Sequence, residues 1–258
     1  MNSPDFFDAL FSEFDRLTLD GIRQARAEAK PDGSIITEVD RAVSALVLER
    51  LKQTFPKDGI VCEEEPEAWQ AESPRLWMVD PLDGTASFSR GFPLWGLGMG
   101  LLEGDQPVAG YLRFPMVGES YRFHEGKGLL NGQPLPPPPA TLLPDNTQLM
   151  VGSKLHHQLP LHRLKEYKLR DFGSTLYHIM AVAAGRAEAV ITPTCSLWDI
   201  AAGLAFTRAQ GLIEQYIDGS PFSLKQILAN PDRRWRIAQP LVIGPPERVS
   251  RVVSLLQI

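Results

Sequence analysis

The chain has 258 residues, of which 43% are apolar and 22% charged, and carries a net charge of −5. That length allows one large α/β unit or two small ones with a substantial core, and the acidic balance without a dense Lys/Arg stretch argues against nucleic acid as a partner. Two cysteines, Cys62 and Cys195, make no disulfide framework and fit a reducing compartment, while the acidic start and the lack of a bilayer-length apolar run predict a cytoplasmic protein with no membrane partner.

Phe6, Phe7, Leu10, Phe11, Phe14 and Leu17 recur at helical spacing and predict an amphipathic first helix continuing to Ala29. Lys30-Pro31-Asp32-Gly33 reads as a turn. A second helix is predicted from Val39 to about Thr54, with Val43, Leu46, Val47 and Leu51 on one face. Strands follow at 60–62, 76–79, 96–102, 108–114 and 119–123, separated by turn residues. Asn131-Gly132 marks a turn, and the proline-rich stretch Pro134 to Pro139 is the best internal boundary. Beyond it, strands are predicted at 148–151, 165–169, 187–191 and 241–243. Helices are predicted at 174–184, 199–209 and 247–256. Alternating strands and helices imply α/β layers.

Four acidic residues, Glu63, Asp80, Asp83 and Asp199, stand at the ends of these elements. Strand ends in layered folds are where ligands bind. Asp80 and Asp83 flank Pro81, so a bend there would aim two carboxylates into one volume. Their repulsion would be relieved by a hard dication such as Mg²⁺, which prefers oxygen ligands. Gly84-Thr85 follows at once and suits a phosphate with its backbone N–H groups. An isolated Asp-x-x-Asp-Gly is as often a capped turn as a site. The haloacid dehalogenase arrangement, Asp-x-Asp-Gly-Thr, is excluded, because its nucleophile position is Pro81 and proline cannot form an aspartyl phosphate.

Several separated motifs together resemble the inositol monophosphatase family, a superfamily of lithium-sensitive, magnesium-dependent sugar phosphatases. Trp77 to Phe88, containing Asp80-Pro81-Leu82-Asp83-Gly84-Thr85, is similar to the first family signature. Leu197-Trp198-Asp199-Ile200-Ala201-Ala202-Gly203 is similar to the second. Glu63-Glu64, the Thr37 to Asp40 segment and the hairpin around Asn131-Gly132 fall in the right order across nearly the whole chain. The resemblance implies an α/β fold, the layered αβαβα sandwich of the inositol monophosphatase and fructose-1,6-bisphosphatase type. It implies one such domain over 1–258, with a half of about 1–140 carrying the main metal site. The remaining half, about 141–258, would supply Asp199 and the substrate-selecting loops.

It also implies two or three Mg²⁺ ions. Glu63, Asp80 and the Leu82 carbonyl would hold one ion, and Asp80, Asp83 and Asp199 a second; a third would share Glu63. Thr85 and Glu63 would orient and deprotonate the attacking water, and Asp40 would hydrogen-bond Thr85. Asp83, Gly84, Thr85, Gly173, Ser174 and Thr192 would contact substrate. Thr192 falls where inositol-specific members carry glutamate, which puts inositol phosphate itself in doubt. The implied partner is a small phosphorylated sugar or polyol, and family members are often homodimers. Adenosine 3′,5′-bisphosphate nucleotidase and histidinol-phosphatase activities of the same superfamily are alternatives. A catalytically silent binding protein is an alternative of another class, opposed by the intact Thr85 and four carboxylates.

Other residues have plainer readings. His156-His157 reads as a solvent-facing loop and His178 as a core or boundary histidine. Trp198 reads as a packing wedge, Cys62 as buried filler, and Glu64-Glu65 as a solvated turn.

Overall fold

The structure is a computed structural model that describes residues 4–31, 33–65, 74–137, 147–230 and 234–256. Helix α1 (Pro4–Gly21) buries Phe7, Leu10, Phe11 and Phe14, as their spacing requires. It stops well before Ala29. No apolar stripe continues past Leu17, and at Gly21 a Cβ would stand 2.6 Å from the Val39 side chain. The chain instead enters a small antiparallel pair, β1 (Glu28–Ala29) and β2 (Ile35–Ile36), across a turn that includes Lys30. Helix α2 (Glu38–Thr54) starts on a capping box: the Thr37 side chain accepts from the Val39 and Asp40 N–H groups, and the Asp40 carboxylate accepts from the Thr37 N–H.

Strands β3 (Gly59–Cys62) and β4 (Arg75–Asp83) run parallel. After the single-turn helix α3 (Thr85–Ser89) come β5 (Gly96–Glu103), β6 (Gln106–Phe114), β7 (Glu119–His124), β8 (Lys127–Leu130) and β9 (Gln133–Pro134). β4 to β9 pair antiparallel in chain order, and with β3 they complete a seven-stranded sheet. Part of the predicted proline-rich boundary, Pro138 and Pro139, lies outside the described residues.

The rest of the chain gives β10 (Gln148–Val151), β11 (Lys168–Arg170), α4 (Thr175–Ala183), β12 (Ala189–Thr192), α5 (Trp198–Ala209), β13 (Ile213–Tyr216), α6 (Leu224–Leu228), β14 (Leu241–Gly244) and α7 (Pro246–Leu256). Its five strands order as β11-β10-β12-β14-β13. The strand expected at 165–169 begins only at Lys168, because the Tyr167 N–H closes a turn on the Leu164 carbonyl at 2.9 Å.

Five layers result. Helices α1 and α2 cover one face of the seven-stranded sheet through Trp77, Val79, Leu97, Met99 and Tyr111. Helices α4 and α5 fill the space between the two sheets, and α7 closes the far face of the five-stranded sheet. This is the αβαβα sandwich. The middle layer sits very close to the first sheet. A Cβ on Gly100 would lie 2.6 Å from the Ala201 backbone, and one on Gly110 would lie 2.2 Å from the Ala202 carbonyl oxygen. Those glycines let the first turn of α5, with Asp199, approach the sheet that carries Asp80.

Candidate active site

Strand alternation decides which carboxylates meet. Along β4, Trp77 and Val79 belong to the α1/α2 side, while Met78 packs on the α5 side. Asp80 continues the Met78 face. Along β3, Val61 packs on the α5 side and Cys62 on the other, so Glu63 also turns toward α5. The parallel register sets Cys62 beside Val79, and the Glu63 N–H donates to the Val79 carbonyl at 3.0 Å. Both acids therefore emerge at the same sheet edge. Asp199 comes from above, on the first turn of α5, with one oxygen accepting the Ser196 N–H at 2.6 Å. Carboxylate oxygens of Glu63, Asp80 and Asp199 all lie within 4.8 Å of one another.

Such crowding is unfavourable for ionised groups. Burial, then the charges of Glu63, Asp83 and Asp199, push Asp80 well above the usual carboxylate range. Burial, Glu63 and Asp83 do the same to Asp199, opposed by its bond from Ser196. The donor set is all hard oxygen, which fits a hard dication, and the repulsion is what such an ion would remove. Lys30 meets the cluster from the β1–β2 turn, its Nζ 3.0 Å from Glu63 and 2.7 Å from Glu64. Glu64 thus has a half-buried cationic partner and is not part of a solvated turn.

Pro81 does not end β4. The strand runs through to Asp83 with a register shift between Asp80 and Asp83, where the Leu82 N–H turns back to the Asp80 carboxylate at 3.1 Å. Asp83 points at the start of α4. Its carboxylate accepts from the Ser174 hydroxyl, from the Leu176 N–H at 2.8 Å and from the Thr175 N–H at 3.2 Å. Burial pushes Asp83 up to about 6 despite these bonds. Ser174 also caps α4, accepting the Tyr177 N–H at 3.1 Å, so one side chain ties the helix to the strand end.

Gly84 has φ 89°, and a Cβ there would lie 3.0 Å from the Gly173 carbonyl oxygen. That close approach brings the α3 turn and the 171–173 loop together. The Thr85 hydroxyl donates to Asp40 at 2.8 Å and lies 3.0 Å from the Leu82 carbonyl. Asp40 is 1% exposed; burial pushes its acidity down, and the bonds from Thr37 and Thr85 oppose the shift.

A cleft of about 320 Å³ opens beside the carboxylate cluster, lined by Glu63 and Asp199 but not by Asp80, Asp83, Gly84 or Thr85. Glu63, Ala86, Gly173, Ser174, Thr175 and Asp199 line it, as do Ser34, Asp171 and His178. Thr192 is not brought to it: the residue is 1% exposed, within β12 and paired with Leu241 of β14. The loop that follows, from Pro193 to Ser196, lines the cleft instead. His178 is a buried neutral acceptor, its Nε2 receiving the Phe172 N–H at 2.8 Å, with burial pulling its pKa down to about 4. Cys62 is fully buried with its sulfur 3.2 Å from the Ser44 hydroxyl, and His156 and His157 are exposed. Trp198 is buried at 3% yet also lines the cleft.

Sequence reasoning missed a role for Lys30, Lys154, Asp171, Arg234 and Arg236. Lys30 carries no local signal, since its partners lie over thirty positions away. The run Arg234-Trp235-Arg236-Ile237 does carry one: it alternates polar and apolar, as a strand with one buried face would.

A carboxylate cluster at joined strand ends, with a hydroxyl bonded to Asp40 close by and a small polar cleft beside it, offers a donor set suited to a hard dication. The chain belongs to the inositol monophosphatase family, whose profile matches residues 9–243. It is similar to a histidinol-phosphatase of Chlorobaculum parvum, 32% identical over 206 residues that cover 76% of this chain and 78% of the relative. An inositol-1-monophosphatase of Synechocystis is 31% identical over 227 residues, covering 83% and 78%. The solved IMPase of Thermotoga maritima shares the fold with a TM-score of 0.81 at 22% identity, covering 97% of this chain and 95% of its own. The protein is accordingly a phosphomonoesterase. No helix among the described residues is long and apolar enough to cross a membrane.

Proposed function

We propose that the protein hydrolyses the phosphomonoester of a small sugar, polyol or similar alcohol with the help of two or three Mg²⁺ ions. The observation that carries this reading is the convergence of Glu63, Asp80 and Asp199 oxygens within 4.8 Å. Glu63, Asp80 and the Leu82 carbonyl would hold one ion, and Asp80, Asp83 and Asp199 another. Bound there, Mg²⁺ would neutralise the carboxylates, polarise phosphoryl oxygens and acidify a coordinated water.

The chain's own residues do the rest. Asp40 takes the Thr85 hydroxyl hydrogen at 2.8 Å, which leaves the Thr85 oxygen lone pairs to orient the attacking water. Glu63 receives the proton of that water. The N–H groups of Gly84 and Thr85 receive phosphoryl oxygens. Ser174 and the α4 N–H groups hold Asp83 fixed. Water attacks directly, with no covalent intermediate.

The test is phosphate release from inositol 1-phosphate, fructose 1,6-bisphosphate, histidinol phosphate and adenosine 3′,5′-bisphosphate, with Mg²⁺ and with added Li⁺. Hydrolysis of at least one ester, inhibited by Li⁺, is expected. Bound Mg²⁺ without hydrolysis of any would favour a binding protein.

A further inference from the structure

The cleft also carries basic residues. Among the lining residues, Lys154, Arg234 and Arg236 carry positive charge. The arginines are placed there by a built element. Trp235 and Ile237 are buried at 7% and 2%, and Arg234 and Arg236 between them are exposed toward the cleft. The segment is pinned to the loop before α5. The Leu197 N–H donates to the Trp235 carbonyl at 3.0 Å, the Ile237 N–H donates to the Cys195 carbonyl at 2.9 Å, and Ser196 pairs with Arg236 as an antiparallel bridge. Arg234 and Trp235 both adopt left-handed backbone, with φ 52° and 48°, a conformation that side-chain-bearing residues seldom take.

The two arginines are used differently. Arg234 donates to the Glu63 carbonyl at 3.2 Å and lies 5.5 Å over the Trp198 ring. Arg236 gives one hydrogen bond among the described residues, to the Thr194 carbonyl at 3.4 Å, and forms no ion pair among them. Most of its five donors therefore remain to face the cleft. Lys154, from the turn after β10, likewise forms no ion pair or side-chain hydrogen bond among the described residues. With Glu63 and Asp199 committed to metal, Asp171 is the one carboxylate left among the lining residues, and its Oδ1 already accepts the Gly173 N–H at 2.8 Å.

We propose that Arg236 and Lys154 form a second anion subsite, so that the preferred substrate is a phosphomonoester whose leaving alcohol itself carries an oxyanion, either a carboxylate or a further phosphate. The proposal rests on the phosphatase reading above and narrows it. A neutral polyol gains nothing from these cations, and an alcohol bearing an ammonium group is repelled by them. The guanidinium fork matches carboxylate and phosphate alike.

Matched esters test it. kcat/KM is measured for glycerol 2-phosphate against 2-phosphoglycerate, for fructose 6-phosphate against fructose 1,6-bisphosphate, and for phosphoethanolamine. The first pair reads a carboxylate and the second a phosphate. The wild-type ratio of anionic to neutral ester exceeds one in at least one pair, phosphoethanolamine is poorest, and the ratio falls with added salt. Arg236→Gln with Lys154→Gln lowers that ratio about tenfold, the size of a lost charge-assisted bond. Arg236→Lys keeps more of it. Each ratio is taken within one protein, so loss of folded material cancels. Neutral esters hydrolysed as well as both anionic partners, or a ratio unmoved by the double variant, overturns the anion subsite and leaves the phosphatase reading standing. Hydrolysis of no ester overturns both.

Discussion

Asp40 does two jobs with one carboxylate, and replacing it with asparagine separates them. One oxygen serves helix α2 by accepting the Thr37 N–H at 2.8 Å, along with the Thr37 hydroxyl. The other accepts the Thr85 hydroxyl at 2.8 Å. In Asp40→Asn the side chain keeps its size but loses its charge and one acceptor. Its NH₂ must then face a donor, at either Thr37 or Thr85. Loss of the cap and of charge-assisted bonding costs about 1–3 kcal/mol of stability. Thr85 meanwhile retains an acceptor in the Leu82 carbonyl at 3.0 Å, so its hydrogen swings there and its lone pairs turn away from the attacking water. A drop in kcat of about a hundredfold follows, the lower range for a positioned proton-transfer partner. Urea unfolding reports the first effect and steady-state phosphate release the second. A cycle with Thr85→Val isolates the coupling: once the Thr85 hydroxyl is gone, Asp40→Asn lowers kcat little further. Wild-type kcat in a destabilised Asp40→Asn would reduce Asp40 to a helix cap. Additive losses in the double variant would refute its action through Thr85.

Three more outcomes follow from the same contacts. Asp83 has an ordinary pKa of 3.8 raised to about 6 in the fold, so the folded chain binds more protons than the unfolded one between those values. Without metal this group's contribution to stability therefore falls as pH rises through that window. Mg²⁺ competes with the same protons, so the rise in Tm on replacing chelator with Mg²⁺ is larger at pH 7.5 than at pH 5.5; an equal rise at both contradicts carboxylate ligation. Ser174→Ala removes the α4 cap and a bond to Asp83, lowers stability by about 1–2 kcal/mol and weakens Mg²⁺ activation, read by denaturation and by the Mg²⁺ concentration at half-maximal rate. Gly100→Ala forces α5 off the sheet, because its Cβ would meet Ala201 backbone at 2.6 Å; it costs about 1–3 kcal/mol and raises the Mg²⁺ requirement by displacing Asp199.

Most of the site was legible because its residues stand at element ends. Apolar runs ending in Glu63 and in Asp80 place those acids where parallel strands terminate. A helix beginning near Asp199 aims that carboxylate along its first turn. Asp40 and its bond to Thr85, which spans 45 positions, came only from the family resemblance; the capping box it makes with Thr37 is seen in the structure. The first helix was overdrawn by eight residues: its last residue is Gly21, and Ile22 and Ala25 pack against the core beyond it without being helical. Thr192 looked like a substrate contact by position, but strand β12 buries it between β10 and β14. The short strands β1 and β2 escaped notice, and with them the turn that delivers Lys30 to Glu63. Two-residue strands are held by distant partners, not by their own pattern.

A carboxylate-held Mg²⁺ that hydrolysis requires is the centre of the proposed function. Phosphate release from the best ester, followed across a Mg²⁺ titration for wild type and for Asp80→Asn, tests it most directly. Asp80 has a carboxylate oxygen within 4.8 Å of both Glu63 and Asp199 and would contact both ions. Saturable dependence on Mg²⁺ in the wild type, no release in chelator, and loss of the Mg²⁺-dependent rate in a folded Asp80→Asn are predicted. Release that persists in chelator, or a variant that keeps the wild-type Mg²⁺ response, would contradict the assignment.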